Sequence, residues 1–194
     1  MGHKIYLSII LLLLGVLMLT LGQKKEVSID SMITKNKQVI KISAISLAER
    51  IIENKLDYTL IDIRKEKAHA GIEIQGSLSM PIESIASKYK NLEKGKFILI
   101  IGNKEENMKK VSIFLSNKGY DSFIIDGGIN AWKNKILNPI IPKDTDSEVT
   151  FSKYKYIRAI SNYLQGKGDL KMPLIKRKRV ILKRVKSASA DGGC

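Results

Sequence analysis

Three short, mainly apolar runs constrain this chain most: Tyr58 to Ile63, with Asp62 near its end, Phe97 to Ile101 and Phe123 to Ile125. Each is too short for a buried helix, and none alternates as a strand with one wet face would. A strand covered on both faces reads this way, because neither face needs polar residues. Helical signals fall around these runs. Val39-Ile40-Lys41-Ile42 alternates like a short strand, and Ser46 with Glu49 three residues on reads as a capping box opening a helix to about Lys55. Asn107 to Lys118 carries Val111, Phe114 and Leu115 at helical spacing and stops at Gly119, a good C-terminal cap. After the third run, Gly127-Gly128 leads into a helix through Trp132, which reads as a core residue. Strand and helix alternate, which predicts an α/β domain of three layers, a central parallel sheet with helices on both faces. Ligands in such sheets gather at the carboxyl ends of the strands.

The flanks differ from this middle. Ile5 to Leu21 is nearly all Leu, Ile, Val and Met behind Lys4. As a helix it would span about 25 Å against a hydrocarbon core of roughly 30 Å. That length fits either an uncleaved membrane anchor or the apolar part of a secretory signal. Lys24, Lys25, Lys35 and Lys37 follow it and favour a cytoplasmic flank. The reading is nevertheless anchorage or export, with the domain outside the cytoplasm, in a periplasm or its equivalent. Residues 1–22 are thus the targeting segment, 23–38 a polar linker, 39–137 the domain and 138–194 a basic extension.

Net charge is +15, and it is unevenly spread: from Ser152 to Cys194 twelve cations face only Asp169 and Asp191. Within that extension, Val149 to Leu164 has Phe151, Tyr154, Ile157, Ile160 and Leu164 at helical spacing, which suits a helix packed on the domain. Lys176 to Lys186 is a cationic run that offers a second membrane contact beside residues 5–21. A chain directed to a membrane and lacking any recognition motif is not expected to bind nucleic acid. The two histidines, His3 and His69, lie far apart and the only cysteine is Cys194, so neither a metal site nor a disulfide framework is expected, and no cofactor is implied.

Three segments in order resemble one family. Leu60-Ile61-Asp62-Ile63-Arg64 looks like an Asp-x-Arg strand end. Gly71 through Pro81 resembles a Gly-His-Ile-Pro-Gly-Ala-x-x-x-Pro stretch, with one extra residue and Glu73 in place of histidine. Asp126-Gly127-Gly128-Ile129-Asn130-Ala131-Trp132 is similar to a closing Gly-Gly-x-x-Ala-Trp element. These are marks of the rhodanese-like sulfurtransferases, and the resemblance covers about half of the chain. It implies a persulfide-carrying cysteine after the Phe97 to Ile101 strand, opening a Cys-x-x-Gly-x-Arg-Ser loop. Counting back from Gly119-Tyr120 places Gly102 at that position. The loop here is Gly102-Asn103-Lys104-Glu105-Glu106-Asn107-Met108, of ordinary length but with none of the family's chemical residues.

That chemistry needs a thiolate held at a helix N-terminus, and glycine has no atom to bond sulfur. No catalytic residue is therefore expected at this loop. It either closes the fold or keeps a pocket for binding an anion, although Glu105 and Glu106 oppose the latter. Asp62 and Arg64 read as a structural ion pair. The remaining candidate sulfur acceptor is Cys194, which ends the stretch Ser187-Ala188-Ser189-Ala190-Asp191-Gly192-Gly193-Cys194. As a coil this stretch would span about 16 Å. The functional expectation is sulfur handling or persulfide relay through Cys194 with a protein partner. The alternative is a non-catalytic protein-binding or regulatory module.

Overall fold

A computed structural model describes residues 29, 38–65, 71–169 and 182. The apolar run at 5–21, His69, most of the basic tail and Cys194 lie outside the described residues.

Five strands form one parallel sheet: β1 (Ile40–Ile42), β2 (Tyr58–Asp62), β3 (Ser77–Ser79), β4 (Phe97–Ile101) and β5 (Ser122–Ile125), in the order β1-β5-β4-β2-β3. The helices are α1 (Ala44–Ile52), α2 (Ile82–Lys88), α3 (Glu105–Asn117), α4 (Gly128–Ala131) and α5 (Glu148–Leu164). A 3-10 turn, Tyr89–Asn91, extends α2, and a π-helical stretch, Trp132–Leu137, extends α4.

The strand period of two divides the core into two layers. Leu60, Leu99, Ile101, Phe123 and Ile125 point to one face, where α1, the α4 segment and α5 cover them through Leu47, Trp132, Tyr156, Ile157 and Ile160. Ile61, Ile98, Ile100 and Ile124 point to the other, under Ile85 of α2 and Met108, Val111, Phe114 and Leu115 of α3. Ile29, from the linker, is buried against this second layer, and Leu182, from the basic tail, packs against the first.

Several details depart from the sequence reading. The cap of α1 is Ser43, whose Oγ accepts from the Ser46 backbone N–H at 3.0 Å, so the helix begins earlier and Ser46 is buried inside it. Glu49 consequently closes no capping box on Ser46; its carboxylate accepts a 2.6 Å hydrogen bond from the Tyr156 hydroxyl and ties α1 to α5. The helix also stops at Ile52, short of Lys55, where Asn54 takes a positive φ of 47°. Strand β3 and helix α2 carry no clear periodic signal. Ser77-Leu78-Ser79 has one apolar residue, and α2 buries only Ile85.

Candidate functional site

The strand order brings the ends of β2 and β4 side by side, with Asp62 opposite Ile101 in the register. One residue further on, the Ile63 backbone N–H donates to the Ile101 carbonyl at 2.9 Å. Ile63 therefore lies beside Gly102, at the carboxyl edge of the sheet where a parallel α/β fold assembles its chemistry.

Asp62 and Arg64 meet each other at this edge. Arg64 Nε donates to both Asp62 carboxylate oxygens at 3.0 Å, and its terminal nitrogen donates to Oδ2 at 2.6 Å. The same nitrogen donates to the Ile72 carbonyl at 2.8 Å, and the Arg64 backbone N–H to Asp62 Oδ1 at 3.0 Å. Relative exposure is 1% for Asp62 and 5% for Arg64, so both charges are out of water. A fork-shaped guanidinium against a carboxylate is the strong form of this bond. Here it binds the strand end to the returning chain at Ile72.

Gly102 ends β4 and is buried. A Cβ at this position would lie 2.8 Å from Ile63 Cγ1, 3.2 Å from Ile63 Cδ1 and 3.4 Å from Met108 Cγ. The first distance is shorter than real side-chain carbons tolerate, so Ile63 would have to shift to admit any side chain here. The other side of the turn is equally close. Gly128 has a φ of +53°, and a Cβ there would run into the Gly102 carbonyl oxygen and approach Met108 Cε at 3.2 Å. Glycine at 128 lets the turn press onto the backbone of residue 102, and the Ile129 N–H donates to that same carbonyl at 3.0 Å.

The rest of the loop runs along the surface. Asn103 and Lys104 are exposed; Lys104 is the N-cap of α3 and makes no side-chain capping bond. Glu105 and Glu106 occupy the first turn, where negative charge complements the helix dipole. Glu105 is bound from two sides, by Lys109 at 2.7 Å and by Lys41 of β1 at 2.8 Å. These bonds, Lys109 first and Lys41 second, hold its carboxyl down at about 2. In return the Lys41 ammonium is pushed up, chiefly by Glu105 with Asp126 at 3.4 Å contributing. Glu106 pairs with Lys110 at 3.4 Å, Asn107 is partly covered and Met108 is buried at 1% exposure. Of the seven loop residues, the two ends, Gly102 and Met108, point the loop into the core and the middle carries ordinary surface charge.

Sequence reasoning placed Gly102 at the end of β4 but missed Ile63 and Met108 as the residues that fill the space beside it. The alternation of β2 assigns Ile63 to the α3 side, so half of that signal was present. The Lys41–Glu105 bridge joins residues far apart in the chain and had no local signal. Among the described residues no group of three or more His, Cys, Asp or Glu could hold a metal ion.

The family description "Rhodanese-like domain" matches residues 43–135, from the Ser43 cap into the π-helical stretch. No curated protein matches. Among solved structures, a rhodanese-related protein from Thermoplasma volcanium is 27% identical, with 54% of this chain and 99% of that one covered and a TM-score of 0.46. A rhodanese-like domain protein from Staphylococcus aureus is 22% identical over 48% of this chain and 91% of that one, TM-score 0.45. Reduced Bacillus anthracis CoADR-RHD is 24% identical over 48% of this chain, TM-score 0.44, and the chain spans only 16% of its length. With the matched residues holding four of the five strands and both strand-end motifs, residues 43–135 of this chain are a rhodanese-like domain.

Proposed function

We propose that this chain is a membrane-directed rhodanese-like protein whose domain works as a non-catalytic binding module rather than by loading sulfur at the β4–α3 turn. One observation carries the reading: residue 102 has no side chain, and a Cβ there would collide with Ile63. The site lacks the nucleophilic atom, and a side chain placed there would crowd Ile63. Glu105 adds a carboxylate to the helix start, where the family's chemistry would gather an anion. The apolar run at residues 5–21 supports the membrane direction, with the domain exported. Among the described residues no helix is long and apolar enough to cross a membrane.

A second reading, persulfide relay through Cys194, is favoured by its being the chain's single thiol, following a stretch of small residues. In that case the domain serves as docking surface for the donor. Incubating the full chain with thiosulfate or a small-molecule persulfide, followed by intact-mass and peptide mass spectrometry, separates the two. The binding-module reading expects no sulfur added at any residue and no thiosulfate sulfurtransferase turnover. Added sulfur on Cys194, lost in Cys194→Ser, would replace it with the relay.

A further inference from the structure

The α5 side of the domain carries a surface that the fold itself does not require. After the π-helical stretch the chain runs as Asn138-Pro139-Ile140-Ile141-Pro142, extended, before Ser147 caps α5. Ile140 is 86% exposed, Ile141 71% and Val149, in the first turn of α5, 78%. A groove of about 720 Å³ lies behind them, between α1, the π-helical stretch and α5, and Lys135, Lys143 and Lys153 are among its lining residues. Isolated apolar side chains on a surface need no explanation, but two adjacent isoleucines this exposed beside lysines do.

We infer that this edge inserts into an anionic lipid surface, Ile140 and Ile141 entering the headgroup layer and the lysines meeting lipid phosphates. Three observations select lipid over other occupants. Ile140 and Ile141 line the groove yet leave most of their surface in water, apolar area that a fluid acceptor covers without a fixed shape. Between Lys133 and Arg158 six cations oppose three acids, Asp144, Asp146 and Glu148. Of these acids, Asp146 already accepts the Lys143 backbone N–H at 2.8 Å. The excess favours an anionic surface. Finally, seven residues, or eight Cα-to-Cα steps, separate Leu21 from Ile29, which is buried against the second core layer. Fully extended these steps reach about 28 Å. If residues 5–21 lie in a bilayer, the domain is held against it, so a modest apolar and cationic patch suffices to orient it. This inference rests on the membrane-directed reading above and adds which face meets the lipid.

The test uses the full chain in a Cys194→Ser background with single nitroxide labels at Ile141→Cys or, as a control, at Leu56→Cys, an exposed position away from this edge. Each protein is reconstituted into phosphatidylcholine vesicles with or without phosphatidylglycerol. Collisions of the label with oxygen and with a water-soluble nickel complex are compared. The expected result is an oxygen-to-nickel collision ratio several-fold higher at 141 than at 56, only with phosphatidylglycerol and reduced by salt. Equal ratios at the two positions, with the chain floating with the vesicles, would overturn the inference alone. A chain that does not float with vesicles overturns the membrane-directed reading as well. Immobilisation of the 141 label in detergent that grows with protein concentration would assign the patch to contact between copies, and also overturn it.

Discussion

The ends of β2 and β4 are adjacent, yet they have met the same local requirement in opposite ways. At the end of β2 the chain keeps two charged residues and satisfies them fully, with Arg64 reaching both Asp62 oxygens and the Ile72 carbonyl out of water. At the end of β4 it keeps no side chain at all, and neighbouring apolar groups close over the gap. The comparison teaches that polar residues at the carboxyl edge of a parallel sheet are not by themselves a catalytic site. What separates an ion pair that holds a loop from one that does chemistry is whether an unfilled space lies beside it.

Breaking the β2 end should have the largest effect. Arg64→Ala leaves the Asp62 carboxylate buried without its main partner, and removing one member of such a pair costs about 3–5 kcal/mol. Denaturant unfolding should show that loss, and Arg64→Lys should recover only part of it, because lysine lacks the fork. A stability unchanged in Arg64→Ala would mean the pair holds nothing. Next comes the turn that presses on the other strand end. Gly128→Ala puts a Cβ at positive φ against the Gly102 carbonyl, and strain with overpacking should cost about 2–4 kcal/mol. Gly102→Cys follows, at about 1–3 kcal/mol from crowding Ile63, and it should confer no thiosulfate sulfurtransferase activity. A variant that gained both stability and turnover would show that the space is open after all.

The smallest effect belongs to the surface of the loop. The Glu105 carboxyl titrates in the folded chain at about 2, below its usual value of 4.5. A depressed carboxyl contributes stability that is fully present above about 4.5 and is lost as pH falls through about 2. Proton-detected titration of Glu105 should place its midpoint near that lower value, and Lys109→Ala should raise it more than Lys41→Ala. Because the group is exposed, salt should weaken the shift. A midpoint unmoved by either substitution would remove the bridge from the account.

Much of this was legible in the sequence, and what escaped has physical reasons. The runs at Tyr58, Phe97 and Phe123 announced β2, β4 and β5 because strands buried on both faces admit almost nothing polar. Helix α5 and the burial of Ile157 and Ile160 followed from a 3.6-residue period, whereas Tyr156, off that stripe, is buried and Phe151, Tyr154 and Leu164 are only partly covered. The cap at Ser43 was missed because two serines three residues apart offer the same local chemistry, and only tertiary contact fixed Glu49 on Tyr156 instead. Strand β3 was invisible because a short edge strand with flanking serines has no interior pattern to show. At the site, the glycine could be read from the chain but its neighbours could not. That Ile63 and Met108 meet over Gly102 depends on register between strands and on the angle at which α3 leaves, neither of which is a local property.

The filling of that space is the claim on which the functional reading stands, and thiol accessibility measures it directly. In a Cys194→Ser background, the rate at which Gly102→Cys reacts with a small aromatic disulfide should be many-fold slower than in the Gly102→Cys/Ile63→Ala pair, with circular dichroism confirming that both are folded. Equal rates in the two, or a persulfide formed on the single variant by thiosulfate, would contradict it.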